Sequence, residues 1–357
     1  MNIGIIGPAR SGKTTTFHLL TATEAKPGDE FKHEVQHGVT HVPDARVDKL
    51  SEMSASKKSV YVTVEYVDTP ALEQGASKSD WFRAAMDGGI KMTDALLLVV
   101  RAFGADDMAA GIDPLRDILA VQDELVLADM IILENRLERL QKQRRVKAPL
   151  PEEKLEMDLL TKAHAHLSEG KPLRTLELDP ADKKALRGFQ FLSEKPMLAV
   201  INAAEDTLKT TDLGKLNAEL KPHQFQAIAL SAKLEGEIAR LPKDEQEAFM
   251  ADIGVSELAR DRVLQASFSL LGLQSFLTTG DKESRAWPIH KGDTAVDAAG
   301  VIHTDLATHF IRAEVVHYDD FVREGGYPGC KAKGLLRLEG KEYPVKDGDI
   351  LVIRHSG

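Results

Sequence analysis

An apolar run, Ile3 to Ile6, leads directly into Gly7-Pro8-Ala9-Arg10-Ser11-Gly12-Lys13-Thr14. This is a complete G-x-x-x-x-G-K-[ST] loop, with a strand-like run before it and a helix-like run, Thr15 to Thr21, after it. That setting is what gives the pattern its meaning. Glycines let successive backbone N–H groups curl around a phosphate, and a helix N-terminus adds positive potential. Lys13 supplies a full charge and the Thr14 hydroxyl is placed to ligate Mg²⁺. Gly7, Ser11, Gly12, Lys13, Thr14 and Thr15 are therefore the expected phosphate contacts, and a nucleoside triphosphate is the expected ligand. A chance glycine turn ahead of a helix is the competing reading, and the order of strand, loop and helix disfavours it.

At 357 residues, 43% hydrophobic and 29% charged, the chain has the composition of a soluble globular protein of two or three domains. Its single cysteine, Cys330, has no internal disulfide partner, and no charged leader with an apolar core opens the sequence. A reducing cytoplasm is the expected compartment. Apolar runs such as Ala95 to Val100 are too short to span a bilayer and read as buried strands, so no membrane association is expected. A net charge of −10 argues against a surface with general nucleic-acid affinity. One local basic group stands out, formed by Arg136, Arg139, Lys142, Arg144, Arg145 and Lys147. It reads either as a solvated helix surface balanced by Glu134 and Glu138 or as an RNA-contacting tip.

Further β-rich runs follow the loop: Val60 to Val67, Leu96 to Val100, Met197 to Ile201 and Phe225 to Leu230, separated by helix-like segments. This alternation predicts an α/β fold with a mostly parallel, doubly wound sheet. Ligands of such sheets lie beyond the carboxyl ends of the strands. Asp68, the segment Asn202-Ala203-Ala204-Glu205, and Ser231-Ala232-Lys233 stand at those ends and are expected to converge on one site. Asp68 joins Thr14 as an expected metal ligand. The stretch from about Asp123 to Glu194 is too long for a loop, and leucines recur in it at helical spacing on either side of Pro149 and Pro151. Two antiparallel helices joined by a proline turn are expected there. From about Lys282 the texture changes to short alternating runs, Ile311 to Val316, Leu335 to Leu338, Glu342 to Val345 and Ile350 to Arg354, which predict a small β-rich module. Trp287 and His303 fall in this module, and a lone Trp and a lone His are expected to be structural.

These residues resemble the YchF/Obg-like ATPase family of P-loop NTPases over nearly the whole chain. The most specific part of the likeness is C-terminal: Ala286-Trp287, the run from Gly300 to Asp305, Phe310 to Val315, Tyr318 to Phe321, Leu338 to Lys341, and Asp347-Gly348-Asp349. Val99 to Phe103 and Asp113-Pro114-Leu115 also match. The resemblance implies a nucleotide domain in two parts, residues 1–122 and 195–280, a helical hairpin at 123–194, and a β-grasp-like TGS module at 281–357. It also implies ATP as the nucleotide and a ribosome or other RNA-rich assembly as partner, met by the hairpin and the C-terminal module; Mg²⁺ with the nucleotide and a monomeric protein are expected beside it.

Three departures from the family pattern bear on turnover. Arg10 stands where family members carry Asn, a residue that in related NTPases helps hold a potassium ion, so the Arg10 guanidinium is a candidate fixed cation beside the phosphates. Asp68-Thr69-Pro70-Ala71-Leu72 replaces the usual D-x-x-G, and Leu72 offers no hydrogen bond to orient water. The segment Phe31 to Gly38 holds no Thr for Mg²⁺ at the expected place, and Thr40 reads as part of the next element. Lys13, Arg10, Asp68 and Leu72 are thus the residues expected at the reacting phosphate, and slow hydrolysis is the expectation.

The base-reading segment departs too. GTPases read guanine with N-K-x-D, whereas here Ala203 removes the lysine and Glu205 lengthens the acid. Asn202, Glu205, Ser231, Ala232 and Lys233 are the expected base contacts, with ATP favoured over GTP. A GTPase of the same fold and a catalytically silent nucleotide-binding adaptor are the alternatives. A MinD-like NTPase and a P-loop kinase fit less well, because of the TGS-like tail and the lack of an arginine-rich lid.

Overall fold

The computed structural model describes residues 1–24, 35–69, 89–104, 111–148, 150–208, 212–252 and 257–356. They fall into two compact units, Met1–Thr40 with Glu65–Val263, and His41–Val64 with Leu264–Gly357.

The first unit is built on a six-stranded sheet in the order β2-β4-β1-β5-β6-β7. Its strands are β1 (Asn2–Ile6), β2 (Gln36–His41), β4 (Thr63–Asp68), β5 (Ala95–Ala102), β6 (Met197–Ala203) and β7 (Phe225–Leu230). β1 runs parallel to both β4 and β5, and the parallel pairing continues from β5 to β6 to β7. A parallel sheet covered on both faces needs strands that are apolar throughout. Leu96 to Val100 supply this in the centre, each fully buried. Helix α1 (Lys13–Thr21) follows β1, and α8 (Ala232–Ile238) follows β7. Between them in sequence lie α6 (Glu205–Leu208) and α7 (Leu213–Leu220).

The hairpin consists of α3 (Pro114–Val146) and α4 (Pro151–Ser168), followed by the short α5 (Pro180–Leu186). α3 starts earlier than the leucine spacing alone predicts, because Asp113 caps it by accepting from the Arg116 N–H and Pro114 occupies its first turn. Its first turns, through Ile118, Val121 and Leu125, pack on β5 and β6. Further along, Leu133, Leu140, Leu159, Leu160, Ala163 and Leu167 close a seam between the two helices. Arg136 spans that seam with a bidentate bond to Glu156, at 2.7 and 2.8 Å.

The second unit has its own sheet, in the order β11-β10-β12-β8-β9-β3. β3 (Ser59–Val60) pairs with β9 (Ser284–His290), β8 (Leu273–Thr279) pairs with β9, and β10 (Phe310–His317) lies between β11 (Arg337–Glu339) and β12 (Asp349–His355). The continuous β-run expected over Val60 to Val67 is therefore two strands in two sheets. Glu342 to Val345, expected as a strand, contributes only an isolated bridge between Pro344 and Thr294. Apart from β3, the strands of this sheet begin at Leu273, ahead of the boundary expected at 281. Helix α2 (Ala45–Met53) also belongs to this unit. Asp44 caps it, and Arg46 joins Asp44 to Asp347 at 2.8 Å each. Trp287 lies flat against Phe276 and donates to the Thr278 hydroxyl at 3.0 Å, while the His303 ring accepts from the Asp305 N–H. Cys330 is a buried free thiol.

Candidate nucleotide-binding site

The loop between β1 and α1 takes its shape from two glycines that no other residue could replace. Gly7 has φ 151°, and a Cβ there would lie 2.2 Å from the Val99 carbonyl oxygen. Gly12 has φ 89°, and a Cβ there would lie 2.1 Å from Nδ2 of Asn202. Arg10 is also left-handed, at φ 59°, with an exposed side chain.

Within this bend Lys13 is only 7% exposed, and its Nζ donates to the Pro8 carbonyl at 3.0 Å. Burial lowers its pKa to about 8, with Asp68 pulling the other way. The Thr14 hydroxyl donates to Oδ2 of Asp68 at 2.8 Å. Burial raises the Asp68 carboxyl, while Thr14 and Lys13 oppose that shift. Oδ1 of Asp68 and the Ser11 hydroxyl are buried and make no hydrogen bond among the described residues. Buried polar atoms left in this condition are costly unless a ligand completes them. Just past β4, Thr69 is anchored by a 2.6 Å bond to the Ile5 carbonyl.

Asn202 ties the phosphate loop to the base side. Its Nδ2 donates to the Ser11 carbonyl at 3.1 Å, and its Oδ1 accepts from the Ala232 N–H at 3.1 Å. Beside it opens a cavity of about 690 Å³, bounded by Gly12, Thr15, Asn202, Glu205, Ser231 and Lys233. That volume suits a nucleoside. Of the strand-end residues expected to converge, those from Asn202 to Glu205 with Ser231 and Lys233 line this cavity, whereas Ala232 meets Asn202 through its N–H and Asp68 lies with Lys13 and Thr14. Ala203 and Ala204 complete its floor. Leu72, Ala71 and Pro70, with Phe31 and Lys32, lie outside the described residues. Thr40 is in β2, 7% exposed.

Three lining residues were not expected from the sequence: Phe103, Leu234 and Glu237. Phe103 follows β5 immediately and carries the Arg101 guanidinium 5.8 Å from its ring centre. The strand-end rule that found Asp68 and Asn202 applies equally to Phe103. Leu234 and Glu237 sit one and two turns into α8, where no turn or strand boundary marks them.

A parallel sheet whose first strand feeds a glycine-bent loop into a helix N-terminus, with Lys13, Thr14, Asp68 and Asn202 around it, defines a P-loop nucleotide-binding protein. The chain is 38% identical over 359 residues to the ribosome-binding ATPase YchF of Pasteurella multocida, covering 99% of this chain and 98% of the relative. With the ribosome-binding ATPase YchF of Bacillus subtilis it shares 35% identity over 365 residues, covering 100% and 99%. The solved structure of the Schizosaccharomyces pombe YchF GTPase superposes with a TM-score of 0.84 at 26% identity, over 99% of this chain and 97% of that one. Residues 273–356 match the family YchF-GTPase_C, described as a protein of unknown function (DUF933). The chain belongs to the YchF family.

Proposed function

We propose that this protein is a nucleotide-dependent switch that binds ATP with Mg²⁺, prefers it to GTP, and hydrolyses it slowly until a ribosome or another RNA-rich assembly completes the site. The observation that carries the reading is the joined pair of sites: an amide-lined loop over a buried Lys13, and a nucleoside-sized cavity reached from it through Asn202. Bonded on both sides of its amide, Asn202 is a fixed strut between phosphate and base loops. Next to it, Ala203 supplies no cation to pack on a purine, and Glu205 starts a short helix with its side chain exposed. A guanine-specific acid held in register by a lysine is thus missing, which favours adenine. Phe103 offers an aromatic face for that base.

Asp68 and Thr14 fit an Mg²⁺ ligand set, since both are oxygen donors, they touch each other, and the second Asp68 oxygen is buried without a partner. Among the described residues no three His, Cys, Asp or Glu side chains gather into an all-protein metal site. That agrees with an ion held mainly by phosphates and water. When bound, the ion would offset charge on the β- and γ-phosphate oxygens. Lys13 would leave Pro8 for the same phosphates, Thr14 and Asp68 would orient around the ion, and Arg10 would stand at the loop's outer side as a fixed cation. Leu72 has no hydrogen-bonding group with which to orient an attacking water, so another group or the phosphate itself would have to position it, which supports slow turnover.

The ribosome and the ATP substrate are carried over from the names of the relatives. Of the basic group on the hairpin, Arg136 is used by Glu156 and Lys142 by Glu138, so Arg139, Arg144, Arg145 and Lys147 are the cations proposed to meet RNA. No helix among the described residues is long and apolar enough to cross a membrane. A monomer in the cytoplasm fits this role. Titration with fluorescent ATP and GTP analogues tests the base preference: tighter ATP binding is expected, and equal or reversed affinities would refute it. Single-turnover hydrolysis with and without ribosomes tests the switch. Stimulation by ribosomes supports it, and silence under both conditions favours the adaptor.

A further inference from the structure

A second cavity, of about 400 Å³, opens on the other side of the wall that bounds the base cavity. Thr15, Lys233 and Glu237 line both spaces. A nucleotide with its phosphates on the N-terminus of α1 and its base beside Asn202 would carry its sugar along this shared wall, with the hydroxyl edge toward the second cavity.

Arg240 and Arg260 enter this second cavity from two separate elements, and Lys233 adds a third cation against the carboxylates of Glu24 and Glu237. Among the described residues neither arginine forms an ion pair. Arg260 stands in α10 (Ala259–Leu270), the helix that follows α9 (Lys243–Asp252). Among the described residues its guanidinium donates to the Leu20 carbonyl at 3.4 Å, and its buried Nε has no partner there. Its backbone is fixed by Glu235, which accepts from the N–H groups of Ala259 and Arg260 at 3.1 and 2.7 Å. A guanidinium held in place with an unused, desolvated donor is preorganised for a phosphate or carboxylate.

We propose that this second cavity receives a phosphate carried on a ribose hydroxyl, so that the protein recognises ribose-phosphorylated adenine nucleotides. The inference rests on the nucleotide-binding reading above. The test compares ADP with ADP bearing a 2′- or a 3′-phosphate by titration calorimetry, on the full chain and on its Arg240→Met and Arg260→Met variants. One isomer is expected to bind about tenfold more tightly than ADP, the effect of one or two charge-assisted hydrogen bonds. Both variants should lose that advantage and keep the affinity for ADP. If neither isomer gains over ADP in the unmodified chain, or if the gain survives in both variants, the inference is overturned. Should Arg260→Met disturb α10 and weaken ADP as well, Arg240→Met, whose side chain is exposed, decides the matter. Failure of ADP itself to bind the unmodified chain would overturn the nucleotide reading and this inference with it.

Discussion

Lys13 is an ammonium held out of water that, among the described residues, donates only to the Pro8 carbonyl, and this makes its proton a reporter of the site. Its pKa falls from an ordinary 10.5 to about 8 because burial disfavours the charged form. The sign for stability follows directly. Below about pH 8 the group is charged in both folded and unfolded chains, and folding carries the full burial penalty. As pH rises from there towards 10.5 the unfolded chain holds more protons, so stability increases through that window. A polyphosphate reverses the preference by favouring the ammonium. Binding of ATP near pH 8.5 is therefore expected to take up a large fraction of about one proton, and near pH 6.5 almost none. Calorimetry in two buffers of different ionisation enthalpy measures this, and heats independent of buffer at the higher pH would contradict it. Arg10 presents a second tension of this scale. A residue with a Cβ at φ 59° costs about 1 kcal/mol relative to glycine. The need for Gly7 and Gly12 was legible from the motif, whereas the left-handed turn at Arg10 was not, since arginine is not a residue that announces it.

At the scale of elements, the junction of α3 with the approach to β6 depends on Asp129. The residue is fully buried in α3 and accepts from the N–H groups of Leu192 and Ser193 at 2.9 and 2.7 Å. Burial raises its carboxyl from 3.8 to about 6, against those bonds. Between these two values the folded chain binds more protons than the unfolded one, so this group's contribution to stability falls as pH rises through the window and stays low above it. Asp129→Asn keeps one acceptor and should flatten that slope in denaturant unfolding between about pH 4 and 6. Asp129→Ala strands two buried donors and should cost about 3 kcal/mol near neutrality. An unchanged slope in Asp129→Asn would show that the carboxyl does not titrate in this range. The hairpin itself was readable because Leu133, Leu140, Leu159 and Leu167 keep helical spacing. Its true start was missed because the leucine stripe begins inside α3, while the first turns are anchored by a cap and a proline. Alternation alone could not show that the run at Val60 to Val67 changes sheets, because both pieces are extended and the pattern has the same period in each.

At the scale of the molecule, the chain leaves its first unit after Thr40, spends residues 41–64 in the second, and returns at Glu65. No sequence signal marks this excursion. Its clearest tie, Arg46 to Asp347, joins positions 301 residues apart, and composition does not change across 41–64. The nucleotide site escaped this difficulty because its parts sit at ends of consecutive parallel strands, an order that topology constrains. What stayed hidden there, Leu234 and Glu237, comes from a helix face whose direction only packing decides. The loop above Lys13 is proposed to hold a magnesium-bound triphosphate, and the decisive experiment is titration of MgATP into the full chain and into Gly12→Ala. Single-site binding that weakens when Mg²⁺ is chelated and is lost in Gly12→Ala, where a new Cβ would meet Asn202 at 2.1 Å, is the expected result. Folded protein that takes up no triphosphate, or a Gly12→Ala variant that binds as well as the parent, would contradict it.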